Sequence, residues 1–315
     1  MNPPLRPAQP STGDSVTELL ATNYFAALID ILGTQEELRK VTGPYEDEAH
    51  FMRGADGMRK AADKVHALRG TALQMCSVVR AAGEQLREVI PSYGALNLHT
   101  FGFGDTTVLY YSLGRPTQGE APIMQGVPIG LATVSLLMLA SLANKVPLRG
   151  AIEVEMGCEL YPEELFGRVL QTTHEMETTT AQTVRIVIGP VLSAMIEQGK
   201  ILPAEASNNY LVERRLAARA GSFISRDPSD GLFVLDYLGA AKTIMGNQPL
   251  FAEQTTKALA FLIQQEEYWT RLMRLDRAVK YRAAIVYFAS RGIQYQPAPK
   301  RGADEGHISD STPPI

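Results

Sequence analysis

The sequence predicts an α+β fold: a ferredoxin-like, mainly antiparallel sheet with helices packed on it and further helices at the C-terminal end. Three observations carry this expectation. Apolar runs rich in β-branched and aromatic residues recur at residues 23–32, 96–101, 106–113 and 148–157, as in strands. Helix-spaced apolar residues fill the intervals between them. The resulting order (strand, helices, hairpin, helix, strand, helix, strand) departs from the regular alternation of a doubly wound parallel sheet.

Each element has a local reason. The first strand, within YFAALIDILG, ends at Asp30 and Gly33. Thr34 and Glu37 then form a capping box that opens a short helix, TQEELRKV. The EDE run at Glu46–Glu48 reads as a solvated loop. Met52, Met58, Ala62, Val65, Leu68, Leu73, Met75 and Val78 fall near helical spacing, so residues 51–89 form one or two helices, with Gly70 as the dividing point. LNLHTF, the tight GFGD and TTVLYYSL make a hairpin with Asp105 at its tip.

Residues 121–144 carry no charge, yet Pro128, Gly130, Thr133, Ser135 and Ser141 leave roughly 15 strongly apolar residues, short of the ~20 that span a bilayer. They read as a helix buried against the sheet. In LRGAIEVEMG, Ile152, Val154 and Met156 face one way and Ala151, Glu153 and Glu155 the other, the two glutamates as a solvated or salt-bridged face. A helix over residues 162–180 leads to the strand TVRIVIG. The chain beyond Pro190 is largely helical, with GLFVLDYL as a short extended piece. Residues 21–190 are expected to form the core domain and 191–296 a mostly helical part packed on it. Residues 1–20 and 297–315, rich in proline and polar groups, read as disordered.

Composition narrows the function. The chain has 315 residues, 45% hydrophobic and 20% charged, enough for a substantial core. A net charge of -4 provides no basic field for nucleic acid or an anionic membrane. Cys76 and Cys158, the only cysteines, are too few for a disulfide framework or a thiolate zinc site, and they suit a reducing cytoplasm. The N-terminus has four prolines in its first ten residues and no apolar core, unlike a signal peptide. The five histidines are scattered, with no HExxH; His99, near the hairpin, is the one placed to approach a site. GxxxxGK[ST] and GxGxxG loops are absent.

Asp30 and Asp105 stand out because each ends or interrupts an apolar strand, where a carboxylate must be solvated, paired or metal-bound. Their alternative role is to serve turns. In order along the chain, ALIDILG, FGFGDTT, LRGAIEVEMG and LFGRVLQTTHEMETTTAQTVRIVIG resemble the class III nucleotidyl cyclases, most of all the pyrimidine cyclases of bacterial Pycsar antiphage systems. RDPSDGLFVLDYL and KYRAAIVYF extend the resemblance, which covers residues 23–288.

The resemblance implies conversion of a nucleoside triphosphate to a 3′,5′-cyclic nucleotide, a second messenger read by a separate effector in antiphage defence. It implies Asp30, Asp105 and the Ile31 carbonyl as ligands of two Mn²⁺ or Mg²⁺ ions. It also implies that the amides of Leu32, Gly33 and Thr34 face the phosphates, and that the enzyme is a homodimer. Phe101, four residues before Asp105, falls at the base-reading position. An aromatic there suits a pyrimidine and leaves uracil and cytosine open. Where many class III cyclases carry an asparagine and an arginine on the helix after the fourth strand, this chain has Gln171 and Glu175. Arg149, Arg168 and Arg185 are candidates to supply the missing cation. An adenylate or guanylate cyclase, and a catalytically silent nucleotide-binding module, are the rival readings.

Overall fold

The computed structural model describes residues 21–33, 47–85, 97–114, 123–161, 164–203, 208–246 and 248–294. The expected helix at residues 34–41, and the two terminal segments, lie outside them.

The chain is α+β with a mixed, mostly antiparallel sheet of eight strands. Strands β1 (Thr22–Ile31), β2 (His99–Phe103), β3 (Thr106–Gly114), β4 (Leu148–Tyr161), β6 (Ile186–Ile188), β7 (Ile224–Arg226) and β8 (Phe233–Leu235) run in the order β2-β3-β1-β4-β6-β8-β7. β5 (Glu164–Gly167) pairs with the outer end of β4. Among the described residues only β4 and β6 pair in parallel; β1 lies antiparallel to both β3 and β4, in the middle of the sheet. Among the described residues the helices are α1 (Glu48–Gln85), α2 (Val127–Ala143), α3 (Arg168–Thr179), α4 (Pro190–Lys200), α5 (Asn208–Gly221), α6 (Tyr237–Met245), α7 (Pro249–Arg271) and α8 (Leu275–Ser290).

Strand alternation divides the core in two. Phe25, Ala27, Ile29 and Ile31 of β1 face the larger cluster with Leu109 and Tyr111 of β3, Ile152 and Val154 of β4, and helices α1, α2 and α5–α8. That one cluster runs from Phe25 to Phe288, so the helical C-terminal part shares the core of the sheet. Helix α2 lies at its centre, buried from Val127 through Leu142. A helix apolar all round has to be covered all round, and among the described residues no helix is long and apolar enough to cross a membrane. Its first turn docks closely. The Tyr111 hydroxyl donates to the Gly126 carbonyl at 2.7 Å, Phe25 stacks on Tyr111, and a side chain on Gly130 would strike both rings.

The opposite face is covered as well, where packing on one face alone was expected. Tyr24, Ala26 and Leu28 of β1, with Val108 and Tyr110 of β3, pack against Leu165 of β5 and Val169 of α3. Two local expectations also change. Helix α1 runs unbroken through Gly70, because Leu68 and Ala72 on either side are buried in the larger cluster and outweigh the ~1 kcal/mol propensity cost of a glycine. The residues before α3 are strand, not helix. Gly167, at φ +132°, sits directly across from Gly157, and a side chain on Gly167 would strike the Gly157 backbone.

Glu153 departs most from expectation. It is fully buried, and it accepts from the amides of Val154 (2.8 Å), Leu192 (2.7 Å) and Val191 (3.1 Å), the last two at the start of α4. A carboxylate at a helix N-terminus satisfies donors that the helix cannot. Glu155, by contrast, is salt-bridged as expected, with Arg168 at 2.6 Å.

Burial holds the Glu153 carboxyl above its ordinary value, in spite of those three donors. Its contribution to stability is therefore complete below the unfolded-state pKa and is lost as pH rises through the higher folded-state value. Glu153→Gln, which cannot ionise, should gain on the parent protein as pH rises from about 4 to about 8; parallel stability curves in denaturant titrations would contradict this. Glu153→Ala strands two amides of α4 and should cost about 2–4 kcal/mol.

Candidate functional site

The C-terminal end of β1 brings the two aspartates together. Asp30 pairs across the sheet with Thr106 on one side and Arg149 on the other, and Asp105 immediately precedes Thr106. Both carboxylates are close enough to repel. Burial first, and the Asp105 charge second, push the Asp30 pKa up to about 6, against the pull of Arg149. Each also has a buried oxygen without a hydrogen-bond partner, Oδ1 of Asp30 and Oδ2 of Asp105.

Of the three arginines singled out by sequence, Arg149 alone reaches this place. Its Nε and Nη2 both lie 2.9 Å from Asp30 Oδ2, and Nη2 lies 2.9 Å from Glu177 Oε1. Arg168 is largely exposed against Glu155, while Arg185 ties the start of β6 to Asp227 and Asp230 at the β7–β8 turn. On α3, Gln171 and Glu175 point to solvent, and Thr173 and Glu177, two residues further along, face the sheet. Glu177 is thus the acidic residue of that helix that joins the site. Its i, i+4 spacing with Thr173 matches that of the exposed pair, so spacing alone does not identify it. Burial raises its pKa, opposed by Arg149.

The turn after β1 is only partly as expected. Gly33 has φ +97°, as a tight turn requires. The Leu32 amide does not face outward; it donates to the Pro147 carbonyl at 2.9 Å. Thr34 lies outside the described residues. Phe101 is half-buried opposite Val108, on the sheet face that also carries Asp30, with its ring edge-on to Tyr110 at 5.7 Å. His99 stacks on the same tyrosine at 5.3 Å, so it belongs to an aromatic cluster and not to the acidic group.

A cavity of about 350 Å³ opens beside Asp30. One wall is Asp30, Ile31, Leu32, Gly33 and Arg149; the other is the α7–α8 corner, which sequence reading did not single out. That corner is a Schellman turn. The amide of Met273 donates to Thr270 and that of Arg274 to Trp269, with Met273 itself at φ +58°. Beyond it, Arg274, Arg277 and Lys280 follow at three-residue spacing and line the cavity with Trp269 and Tyr281. Arg274 forms a two-point pair with Asp276, and Arg277 lies 4.5 Å over the Trp269 ring. Burial, then the charges of Arg149 and Arg277, hold the Lys280 ammonium below its ordinary value, against Asp276.

Among the described residues no three His, Cys, Asp or Glu side chains form a metal cage. Two carboxylates suffice for Mg²⁺ or Mn²⁺ when a ligand's phosphates complete the shell. The two unpartnered buried oxygens of Asp30 and Asp105 fit that arrangement.

Arg149→Ala leaves two buried carboxylates facing each other and should cost about 3–5 kcal/mol. Adding Asp30→Asn and Glu177→Gln should recover most of that loss; additive losses in a mutant cycle would refute the bridge. Met273→Gly relieves a left-handed residue and should stabilise the protein by about 1 kcal/mol in denaturant titrations. Comparison with models of protein families, with curated proteins and with solved structures yields no match in any of the three.

Proposed function

We propose that the chain is a nucleotide cyclase of the class III type, converting UTP or CTP to the 3′,5′-cyclic monophosphate and pyrophosphate. The observation that carries this reading is the convergence of Asp30 and Asp105 at adjacent strand ends, each with a buried oxygen lacking a partner, beside a basic cavity. Asp30 and Asp105, with the Ile31 carbonyl, would hold two Mg²⁺ or Mn²⁺ ions, whose chemistry is to acidify the ribose 3′-hydroxyl and neutralise the triphosphate. In the reaction the 3′-oxygen gives up its proton and bonds to the α-phosphorus, while the bond to the β-phosphate breaks.

The protein's own contribution is placement and charge. Arg149 engages Asp30 Oδ2 and leaves Oδ1 for a ligand. The half-buried Phe101 ring, held edge-on against the fully buried Tyr110, offers an apolar surface for a small base on the sheet face that also carries Asp30. Exposed Gln171 and Glu175 take no part within one chain. A homodimer, a cytoplasmic setting, a role in antiphage defence and a separate effector follow from the family resemblance.

A second reading has an observation of its own. Arg149 already neutralises Asp30, as suits a metal-free, catalytically silent nucleotide-binding module. Incubation with Mn²⁺ and each of the four ribonucleoside triphosphates, with products identified by mass, separates the two. The cyclase reading expects a cyclic pyrimidine nucleotide whose formation falls by at least about 100-fold in Asp30→Asn and in Asp105→Asn. A cyclic purine product would reassign the base, and binding without turnover would select the silent module.

A further inference from the structure

We infer that the α7–α8 corner is a polyphosphate-binding site, in which Arg274, Arg277 and Lys280 close over the Gly33 turn to hold a chain of two or more phosphates. This extends the reading above to the tail of its substrate, and rests on that reading only for the nucleoside half.

The cavity wall supplies the argument. Four cations, Arg149, Arg274, Arg277 and Lys280, line one space, against two acids, Asp30 and Asp276. Arg149 is committed to Asp30 and Glu177, and Arg274 to Asp276. Among the described residues no ion pair engages Lys280, although it is partly buried and its neighbours Arg149 and Arg277 are both positive. Like charges crowded around a cavity are costly unless an anion joins them.

The geometry suits an extended polyanion better than a single ion. Arg277 and Lys280 sit three residues apart on α8, roughly 4.5 Å along its axis, and Arg274 caps its start. Trp269 fixes the Arg277 guanidinium plane from behind, which lowers the entropy lost on binding. The opposite wall is the Gly33 turn at the end of β1, so a chain lying along α8 has one end at Asp30. Arginine forks and a lysine point charge are the usual partners of phosphate oxygens.

The test is calorimetric titration of the full chain in EDTA with orthophosphate, pyrophosphate, tripolyphosphate, uridine and UTP. Affinity should rise with phosphate number, and Arg277→Gln and Lys280→Gln should each weaken tripolyphosphate binding on the order of tenfold. Lys280→Arg should keep the affinity, and Lys257→Gln, on the exposed face of α7, should leave it unchanged. Melting curves confirm that each variant is folded. UTP binding more tightly than tripolyphosphate, with uridine alone weak, identifies a nucleotide as the source; tripolyphosphate binding as tightly as UTP identifies a free polyphosphate.

Affinity independent of phosphate number, or unchanged in both glutamine variants, overturns the site. Loss of cyclic product with this binding intact would reject the cyclase and keep the site. Normal KM for the triphosphate in both variants would do the reverse.

Discussion

One guanidinium holds the candidate site in the fold. Arg149 of β4 lies between Asp30 of β1 and Glu177 of α3, with 2.9 Å contacts to each. Three elements distant in sequence are thereby fixed at one sheet end. Without it, three carboxylates, Asp105 included, would crowd a poorly solvated region, at a cost that no local packing offsets. The bridge is also asymmetric. It saturates one oxygen of Asp30 and leaves the other without a partner, so the same contact that makes the site tolerable keeps it able to bind.

The rest of the fold makes that end of the sheet rigid. β1, the strand that carries Asp30, is buried along its length and paired on both sides, and α2 presses its first turn onto Phe25 and Tyr111. Gly150 belongs to the same logic: a side chain there would collide with the Leu28 carbonyl, so only glycine lets β4 lie close enough for Arg149, next to it, to meet Asp30. The far wall of the cavity is less constrained. It is a helical corner with a left-handed methionine, anchored to the core by Tyr281, Ala284 and Phe288 of α8. A rigid wall bearing the Asp30–Arg149 pair and a separately anchored basic one thus face each other across the cavity.

Much of this was legible in the residues. Alternating apolar patterns located β1, the β2–β3 hairpin and β4, and unbroken apolarity located α2, because burial writes those patterns directly. The aspartates were visible as charges in the wrong place. What escaped reading is what depends on tertiary partners. Glu153 and Glu155 occupy equivalent positions of one strand face, yet one is fully buried at the start of α4 and the other pairs with an exposed arginine; nothing local distinguishes them. Glu177 was passed over for Gln171 and Glu175 because helix phase against a sheet cannot be fixed to two residues from a short polar helix. Nothing in the sequence singles out the cations at the α7–α8 corner; it is the fold that sets them opposite Gly33.

The two walls are each electrostatically unfavourable, in opposite senses. On one, burial and the Asp105 charge work against ionised Asp30; on the other, burial and then the charges of Arg149 and Arg277 work against the ammonium of Lys280. A fold selected for stability alone would remove such groups, since well-packed apolar residues do as well or better. Their retention at a single cavity is the usual mark of a site whose missing partner is a ligand. The two defects also specify that ligand jointly. A bare cation would be drawn to Asp30 and repelled by the helix, while a bare polyanion would be held by the helix and leave Asp30 without a partner for its free oxygen. On the function proposed above, a polyphosphate carrying its own divalent metal would satisfy both at once.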